Sequence, residues 1–269
     1  MHLLDSMLAQ SSRADFFAES WERAPLVLRG GAAELARYVT LEQLPAMVKA
    51  ALVAKRLRPI SVSENGRMCY RRLGALEAAA ERDELTIEAI NTICGPATLV
   101  VNAVHLYDNG ADRMLRALFN EFAERMTLNL YYSPNPGQPG LGMHYDRWEI
   151  FAAHLRGAKR WQIWAPTIQY PVDDRTEDGA GLVDTPPQLD TVVEGGDILY
   201  LPRGSWHLAE PTPEPSLHLT IGVHAKKGVD VAHWLLAEAS QQAALRRNFP
   251  HTQTGDEAGQ LAGATEAIA

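Results

Sequence analysis

Three residues in the second half of the chain have the chemistry to hold one metal ion together: His144, Asp146 and His207. His144 and Asp146 are two positions apart, so in a β-strand both side chains project from the same face. His207 comes from a separate segment, after a Gly-Gly-Asp turn, a short apolar run and a Pro-Arg-Gly turn. Two imidazoles and one carboxylate that leave neighbouring coordination positions open are typical of non-haem Fe(II) oxygenases. The pattern therefore predicts an oxygen-activating iron enzyme, and the alternative is a structural polar cluster.

The composition is that of a globular protein with one catalytic domain. The chain has 269 residues, of which 46% are hydrophobic and 22% charged, enough for a large core. A net charge of −8 argues against an extended nucleic-acid surface. The two cysteines have no paired spacing, and we find no secretory signal and no apolar run of membrane-spanning length. We therefore expect a cytoplasmic protein without membrane or direct nucleic-acid binding.

Residues 1–125 are predicted to form an N-terminal segment of helices with short extended pieces, packed on a barrel. Apolar spacing and composition are the basis for these elements. Helices are expected at residues 12–21, 41–53, 86–93 and 111–125, and strands at residues 25–31 and 97–104. Thr40 is the expected N-cap of the second helix, with Gln43 three residues on.

Residues 126–225 are predicted to be the catalytic core. Short strands separated by Gly and Pro, without helices between them, indicate an antiparallel sandwich or barrel. Strands are expected at residues 127–132, 144–155, 159–164, 188–193, 197–201 and 217–224, with a loop at residues 133–140. Ala, Leu and Glu content predicts a helix over 231–247 within a C-terminal segment, 226–250. Residues 251–269 lack apolar periodicity and are expected to be a mobile tail.

The region around the first two candidate ligands resembles the JmjC-type 2-oxoglutarate oxygenases, especially the bacterial cupin-like branch that contains the ribosomal oxygenases. The similarity is carried by residues 142–151 and 155–161, and near the N-terminus by residues 17–31. It implies a mainly β fold: a double-stranded β-helix (jelly-roll) core with an N-terminal α/β segment and a C-terminal helix. It also implies that His144, Asp146 and His207 bind Fe(II).

The same resemblance implies a pocket for 2-oxoglutarate as co-substrate. Lys159 occupies the family's lysine position on the strand after the first metal strand, and a cation deep in a barrel is costly unless it meets an anion. The alternative is a surface lysine at a strand start. The other residues on the family's co-substrate positions are Asn129, Tyr131, Thr220 and His218, with Tyr132 as the alternative phenol. His218 stands where the family has Asn, and Thr220 where it has Ser.

Three further residues near the ligands are interpreted without a chemical role. His154 shares the parity of His144 and Asp146, and we interpret it as a hydrogen-bonded pocket residue, because a fourth protein ligand would close a coordination position that the chemistry needs. Trp148 and Trp206 are either an aromatic wall for a substrate side chain or packing at the barrel mouth, and packing is the preferred interpretation.

The resemblance implies that the enzyme hydroxylates a C–H bond of an amino-acid side chain in a protein or peptide, with succinate and CO2 as the other products. Three alternatives remain: a JmjC demethylase acting on N-methyl groups, a metal-dependent cupin enzyme that does not use 2-oxoglutarate, and a non-enzymatic barrel. Ribosomal oxygenases continue past the barrel into a helical dimerisation region and a winged-helix domain. Here the residues after 225 leave room for only one good helix. The sequence therefore does not decide whether the chain forms a homodimer.

Overall fold

Two antiparallel β-sheets carry the candidate site residues other than His144 and Asp146, which lie in the segment before β6. The computed structural model describes residues 2–54, 59–135, 140–172, 182 and 184–247. The expected tail at residues 251–269 and part of the expected loop at residues 133–140 lie outside the described residues.

The helices are α1 (Leu3–Leu8), α2 (Arg13–Asp15), α3 (Leu44–Val53), α4 (Tyr70–Glu81), α5 (Ile87–Cys94), α6 (Asn109–Phe122) and α7 (Gly228–Ala239). The strands are β1 (Leu26–Leu28), β2 (Ile60–Glu64), β3 (Arg67–Met68), β4 (Thr98–Val101), β5 (Arg125–Ser133), β6 (Glu149–Arg156), β7 (Ala158–Trp164), β8 (Leu189–Glu194), β9 (Ile198–Leu201), β10 (Trp206–Pro211) and β11 (Ser216–His224).

The larger sheet has eight strands in the order β1-β9-β6-β11-β5-β4-β2-β3, and the smaller sheet has three in the order β10-β7-β8. Apolar side chains from both sheets, including Ile150 and Leu199 from one and Trp161 and Val193 from the other, form a core between them. The expectation of a mainly β, antiparallel fold with helical additions is confirmed.

Strand alternation separates the site from the main hydrophobic core. On β11 the odd-numbered residues from Leu217 to Val223 are buried in the larger core, so His218 and Thr220 lie on the opposite face of the sheet. β5 pairs with β11 and repeats the pattern: its even-numbered residues join the same core, while Asn129 and Tyr131 lie beside Thr220 and His218. The sheet thus presents a row of polar side chains to the interior between the two sheets.

Local capping accounts for most helix starts. The backbone N–H of Thr40 donates to Gln43 Oε1 at 2.7 Å, as the capping-box pattern predicts, and a short 3-10 turn over Leu41–Gln43 leads into α3. α6 begins after Asp108, whose carboxylate accepts from the N–H of Ala111 at 2.8 Å. It ends at Phe122, because Ala123 adopts a left-handed conformation with φ +52°. The predicted end at Arg125 is wrong, since that residue already belongs to β5.

The predicted strand over residues 144–155 is wrong for its first five residues, 144–148. β6 begins at Glu149, and His144 instead forms an isolated antiparallel bridge with His207, through N–H···O=C bonds of 3.2 and 2.8 Å. The carbonyl of Asp146 accepts from the N–H of Gly204 at 2.8 Å. These bonds tie His144 to β10 and Asp146 to the turn before β10, and neither residue joins the ladder of the larger sheet.

Several elements were not predicted, namely α1, α4, β2, β3 and β10. The described residues after Ala225 belong to a second compact unit. In that unit α7 covers the first part of the expected helix at 231–247 but ends at Ala239, where Ser240 Oγ donates to the carbonyl of Ala237 at 2.6 Å. Among the described residues, no helix combines the length and the apolar character needed to cross a membrane.

Candidate metal and co-substrate site

The three candidate metal ligands converge in the structure. One ligand atom each from His144, Asp146 and His207 lies within 4.8 Å of the other two. The two imidazole rings are 4.2 Å apart between centroids and inclined by 60°, and His207 Nε2 is 3.8 Å from a carboxylate oxygen of Asp146. The backbone bridge between the two histidines produces this approach, although residues 144–146 do not continue a regular strand.

Backbone carbonyls orient both imidazoles. His144 Nδ1 lies 2.8 Å from the carbonyl oxygen of Gly142, and His207 Nδ1 lies 3.0 Å from that of Ser205. With Nδ1–H donating to a carbonyl, the lone pair of Nε2 is directed to the centre of the cluster, as metal-binding histidines require. Burial, followed by the charge of the neighbouring His144, lowers the pKa of His207, which favours the neutral, ligating form.

The donor set fits a divalent metal that must keep open positions. Across the part of the chain that the structure describes, no other group of three or more histidine, cysteine or acidic side chains comes together in this way, and this group contains only three donors. About a third of the Asp146 side chain is exposed, so the cluster remains accessible from outside. Two imidazoles, one carboxylate and open neighbouring positions suit Fe(II) and its usual substitutes.

A cavity extends inward from the three ligands and contains seven of the eight predicted site residues. Its lining includes Tyr131, His144, Asp146, Lys159, His207, His218 and Thr220. Asn129 is not part of the lining: its Oδ1 accepts from the backbone N–H of Ala103 at 2.9 Å. Six lining residues were not predicted: Thr98, Gly140, Leu141, Ile150, Trp161 and Ala209. The parity of Trp161 with Lys159 on β7 could have identified that residue.

Lys159 is a buried cation without an acidic partner. It is 3% exposed, and within the described ranges no carboxylate forms an ion pair with it. Burial lowers the pKa of Lys159 to about 8, still high enough for the ammonium form to dominate at neutral pH. A charge kept in a low-dielectric interior without a counterion creates a strong preference for an anion. The surface alternative for this lysine is therefore wrong.

The structure distinguishes the two neighbouring tyrosines. Tyr131 lines the cavity, whereas Tyr132 is 2% exposed in the main core and donates its phenol proton to Asn91 Oδ1 at 2.7 Å. Burial raises the pKa of Tyr131, and the negative charge of Asp146 raises it further, against the smaller effect of hydrogen bonds with Asn129 and Thr220. Tyr131 is consequently a neutral phenol held in place by two polar neighbours.

Aromatic rings form a row along the cavity side of the larger sheet. Tyr131 stacks on His218 at 4.7 Å and 7°, and His218 stacks on His154 at 5.0 Å and 11°. Trp161 crosses from the smaller sheet and donates its Nε1–H to His154 Nε2 at 3.0 Å. That bond occupies one nitrogen of His154, which lies outside the metal-binding cluster, as the interpretation of a hydrogen-bonded pocket residue requires.

The two tryptophans near the ligands make packing contacts. Trp206 is 2% exposed, donates to Thr167 Oγ1 at 3.0 Å and meets the ring of Tyr145 edge-on at 5.0 Å. The ring of Trp148 packs against that of His224, with centroids 3.7 Å apart and planes tilted by 30°, and lies under the guanidinium of Arg147, 4.3 Å away. These contacts account for both residues without a substrate.

A buried carboxyl group links the start of β6 to the N-terminal segment. Glu149 is 1% exposed and accepts a hydrogen bond from the phenol of Tyr200, whose oxygen accepts in turn from the backbone N–H of Glu22 at 2.9 Å. Burial raises the pKa of Glu149 to about 7, against the lowering effect of the Tyr200 bond. Since Glu149 follows Asp146 by three residues, this contact helps to hold the ligand segment.

Comparisons with known proteins agree with the geometry. Residues 104–231 match the JmjC domain family. The chain is 36% identical over 143 residues, 52% of its length, to the bifunctional lysine-specific demethylase and histidyl-hydroxylase NO66 of Drosophila mojavensis, of which it covers 16%. It is 27% identical over 272 residues to mouse ribosomal oxygenase 2, covering 91% of this chain and 54% of that protein. The chain thus spans about half or less of the length of these curated relatives.

Solved structures show the same fold. The Escherichia coli ribosomal oxygenase YcfD superimposes with a TM-score of 0.61 at 18% identity, over 97% of this chain and 66% of that one. The YcfD complex with cobalt and 2-oxoglutarate gives a TM-score of 0.59 over the same shares. The likeness confirms the expected jelly-roll core. The family match at residues 104–231 includes residues 142–151 and 155–161, on which the resemblance was based.

Proposed function

We propose that the chain is an Fe(II)- and 2-oxoglutarate-dependent oxygenase that hydroxylates a C–H bond of an amino-acid side chain in a protein or peptide. The match of residues 104–231 to the JmjC domain family and the similarity to ribosomal oxygenases support this proposal. One observation carries the proposal: a three-ligand cluster with open positions and a buried lysine without a counterion line the same cavity. A structural polar cluster accounts for neither the missing counterion nor the shared cavity.

In this proposal His144, Asp146 and His207 hold Fe(II), and Lys159 anchors the far carboxylate of 2-oxoglutarate. The bound metal, co-substrate and O2 supply an oxidant that converts C–H to C–OH, with 2-oxoglutarate leaving as succinate and CO2. The carbonyls of Gly142 and Ser205 orient the two imidazoles. The orientation of the two imidazoles is therefore fixed before the metal or 2-oxoglutarate binds.

The remaining polar residues of the cavity position the co-substrate, and its apolar residues exclude water. The neutral phenol of Tyr131 is available to donate a hydrogen bond, and Asn129 and Thr220 hold it from the neighbouring positions of β5 and β11. The apolar side chains of Ile150 and Trp161 line the same space and exclude water from it. Water exclusion strengthens every electrostatic contact with the co-substrate.

The names of the relatives support a protein as substrate. They describe ribosomal oxygenases and a histidyl-hydroxylase, and YcfD has been solved with 2-oxoglutarate and cobalt. Ribosomal proteins are therefore the first substrates to test. We further propose a cytoplasmic location, since Cys69 and Cys94 are both free thiols and suit a reducing compartment.

Demethylation of an N-methyl group is the second candidate function. One relative is named as both a lysine-specific demethylase and a histidyl-hydroxylase, and both reactions use the same oxidant, so the metal site does not distinguish them. Lys159 disfavours a cupin enzyme that does not use 2-oxoglutarate, because without that co-substrate the buried ammonium group would have no anionic ligand.

The test is incubation of the Fe(II)-reconstituted protein with 2-oxoglutarate and isotopically heavy O2 over a ribosomal protein extract and methylated peptides. Hydroxylation predicts a peptide that gains one heavy oxygen atom, seen by tandem mass spectrometry. Demethylation predicts loss of a methyl group and release of formaldehyde. Full 2-oxoglutarate turnover by a chain lacking the Asp146 carboxylate would contradict the proposal.

A further inference from the structure

The turn at residues 202–205, just before β10, contacts two of the three metal ligands. The N–H of Gly204 donates to the carbonyl of Asp146 at 2.8 Å. The carbonyl of Ser205 lies 3.0 Å from Nδ1 of His207 and orients that ring. The position of the turn therefore sets both the backbone position of one ligand and the direction of the other.

Arg203 attaches this turn to two other parts of the fold. Its side chain is 13% exposed, and Nη2 donates to Glu22 Oε1 at 2.8 Å. Its Nε lies 3.8 Å from Glu149 Oε1, and its backbone N–H lies 3.5 Å from the same oxygen. The guanidinium also lies 5.3 Å from the ring centroid of Tyr170, within the range of cation–π contacts. One side chain thus joins the turn to the N-terminal segment and to the start of β6.

The carboxyl group of Glu149 is a fixed point for this attachment. It accepts a hydrogen bond from the phenol of Tyr200, and the Tyr200 side chain is fully buried. The Tyr200 ring stacks on Trp21, with centroids 5.9 Å apart and an interplanar angle of 16°, and meets Phe16 edge-on at 4.9 Å. Aromatic packing therefore holds the acceptor that Arg203 approaches.

Arg203 can act on the metal site only indirectly. Within the described part of the chain it is absent from the lining of the cavity, so its effect must pass through the turn. A guanidinium is a rigid planar fork that contacts two carboxylates in fixed directions, whereas the ammonium group of lysine is a point charge on a flexible stem. A position between two carboxyl groups therefore suits arginine better than lysine.

We propose that Arg203 is a positioning residue of the metal site. By holding the turn between Glu22 and Glu149, it keeps Asp146 and His207 in the geometry that the metal requires. The inference rests on the proposed function, because it needs the three-ligand cluster to bind a divalent metal. Residues that orient metal ligands without binding the metal change metal affinity by about 10- to 100-fold when they are removed. An ion pair that only stabilises the fold would leave metal affinity unchanged.

The experiment measures metal binding and ligand geometry without turnover. Co(II) is titrated into the metal-free full chain. The visible absorption of bound Co(II) depends on the number and arrangement of its ligands, so it gives both the Kd and a spectroscopic signature. Urea unfolding of the metal-free proteins measures stability separately.

The variants separate the guanidinium from its charge and from its partner. Arg203→Met removes the charge and the donors, Arg203→Lys keeps the charge, and Glu22→Gln weakens the acceptor on the N-terminal segment. Arg160→Met is the matched control, because Arg160 also meets two carboxylates, those of Asp190 and Glu210. Glu210 lies at the end of β10 that is far from the turn.

For Arg203→Met we expect the Kd for Co(II) to rise by about 10- to 100-fold, with a changed absorption spectrum. Arg203→Lys should recover part of the loss. Glu22→Gln should raise the Kd in the same direction, and combining it with Arg203→Met should add little, because both substitutions break the same contact. Arg160→Met should match the unaltered chain. If Arg203→Met fails to fold by circular dichroism, Arg203→Lys and Glu22→Gln still decide the question.

Two results would overturn the assignment of Arg203. Lower stability with an unchanged Kd and an unchanged Co(II) spectrum means that the residue has only a structural role. An equal loss of affinity in Arg160→Met means that the effect comes from the charge of the protein and not from the turn. Failure of the unaltered protein to bind Co(II), or binding that survives Asp146→Ala, is a different outcome, since it would contradict the proposed metal site itself.

Discussion

Replacing the buried lysine should make the protein more stable and at the same time remove co-substrate binding. Burial lowers the pKa of Lys159 from 10.5 to about 8, and at 1.36 kcal/mol per pH unit this difference corresponds to roughly 3 kcal/mol. At pH 7 the free protein bears that cost, because the charge has no counterion. Lys159→Met removes the charge and keeps an unbranched side chain of similar length, so the free energy of unfolding should increase by up to about 3 kcal/mol.

The pH dependence of the stability difference between the two proteins shows whether the charge of Lys159 causes it. The pKa in the folded state lies below that of the unfolded chain, so between about pH 8 and pH 10.5 the unfolded state holds more protons. In that range the stability of the unaltered protein rises with pH relative to the variant. The advantage of Lys159→Met should consequently be full at pH 7 and disappear as pH approaches 10.5.

The assay is urea unfolding of both chains between pH 7 and pH 10, with calorimetric titration of 2-oxoglutarate into the Mn(II)-loaded proteins. Loss of the lysine charge should weaken binding by about a hundredfold or more, the cost of removing one partner of a buried charge pair. Lys49→Met is the control, because Lys49 forms an exposed pair with Asp83 that contributes at most about 1 kcal/mol. A Lys159→Met variant that is less stable at pH 7, or that binds 2-oxoglutarate normally, would refute the reasoning.

Two other predictions concern the frame around the site. Glu149→Gln should gain stability relative to the unaltered chain as pH rises from about 4.5 to about 7, by roughly 3 kcal/mol over the whole range. The reason is that in this range the Glu149 carboxyl keeps its proton in the folded protein and loses it in the unfolded chain. Equal pH profiles of the two proteins in urea unfolding would show that the carboxyl is not buried as described. Gly157→Ala should lower the midpoint of thermal unfolding, since Gly157 has φ +66° and an added Cβ would lie 2.0 Å from the carbonyl oxygen of Pro215. Gly74→Ala, in helix α4 with open space around the new Cβ, should instead raise the midpoint slightly, because the free energy of unfolding increases by up to about 1 kcal/mol. Destabilisation by both substitutions would contradict the structure.

The sequence was most informative where chemistry and periodicity coincide. His144, Asp146 and His207 were chosen for their residue types and spacing, and the structure brings them together. The strand argument behind His144 and Asp146 was nevertheless wrong, because the backbone bridge to β10 positions His144 and β6 starts only at Glu149. Side-chain parity is a rule for regular strands, and here the ligand segment is held by hydrogen bonds from a distant turn.

Contacts between sheets were beyond the reach of sequence reasoning. The choice between Tyr131 and Tyr132 depended on which face of β5 is buried in the main core, and the burial pattern resolves it. Thr98 reaches the cavity from β4, far away in sequence, and Trp161 reaches His154 across the two sheets. The pairing of β4 with β5 within the larger sheet brings Thr98 to the cavity, and the closing of one sheet over the other brings Trp161 to His154. Residue spacing along the chain encodes neither.

Turnover of 2-oxoglutarate by the Fe(II)-loaded protein tests the central claim most directly. Succinate formed per hydroxylated peptide should be measured for the unaltered chain and for Asp146→Ala, alongside the metal content of both. We predict one succinate per hydroxylated residue in the unaltered protein, and loss of both the iron and the turnover in the variant. Full substrate-dependent succinate formation by Asp146→Ala would contradict the claim that these three side chains form the catalytic iron site.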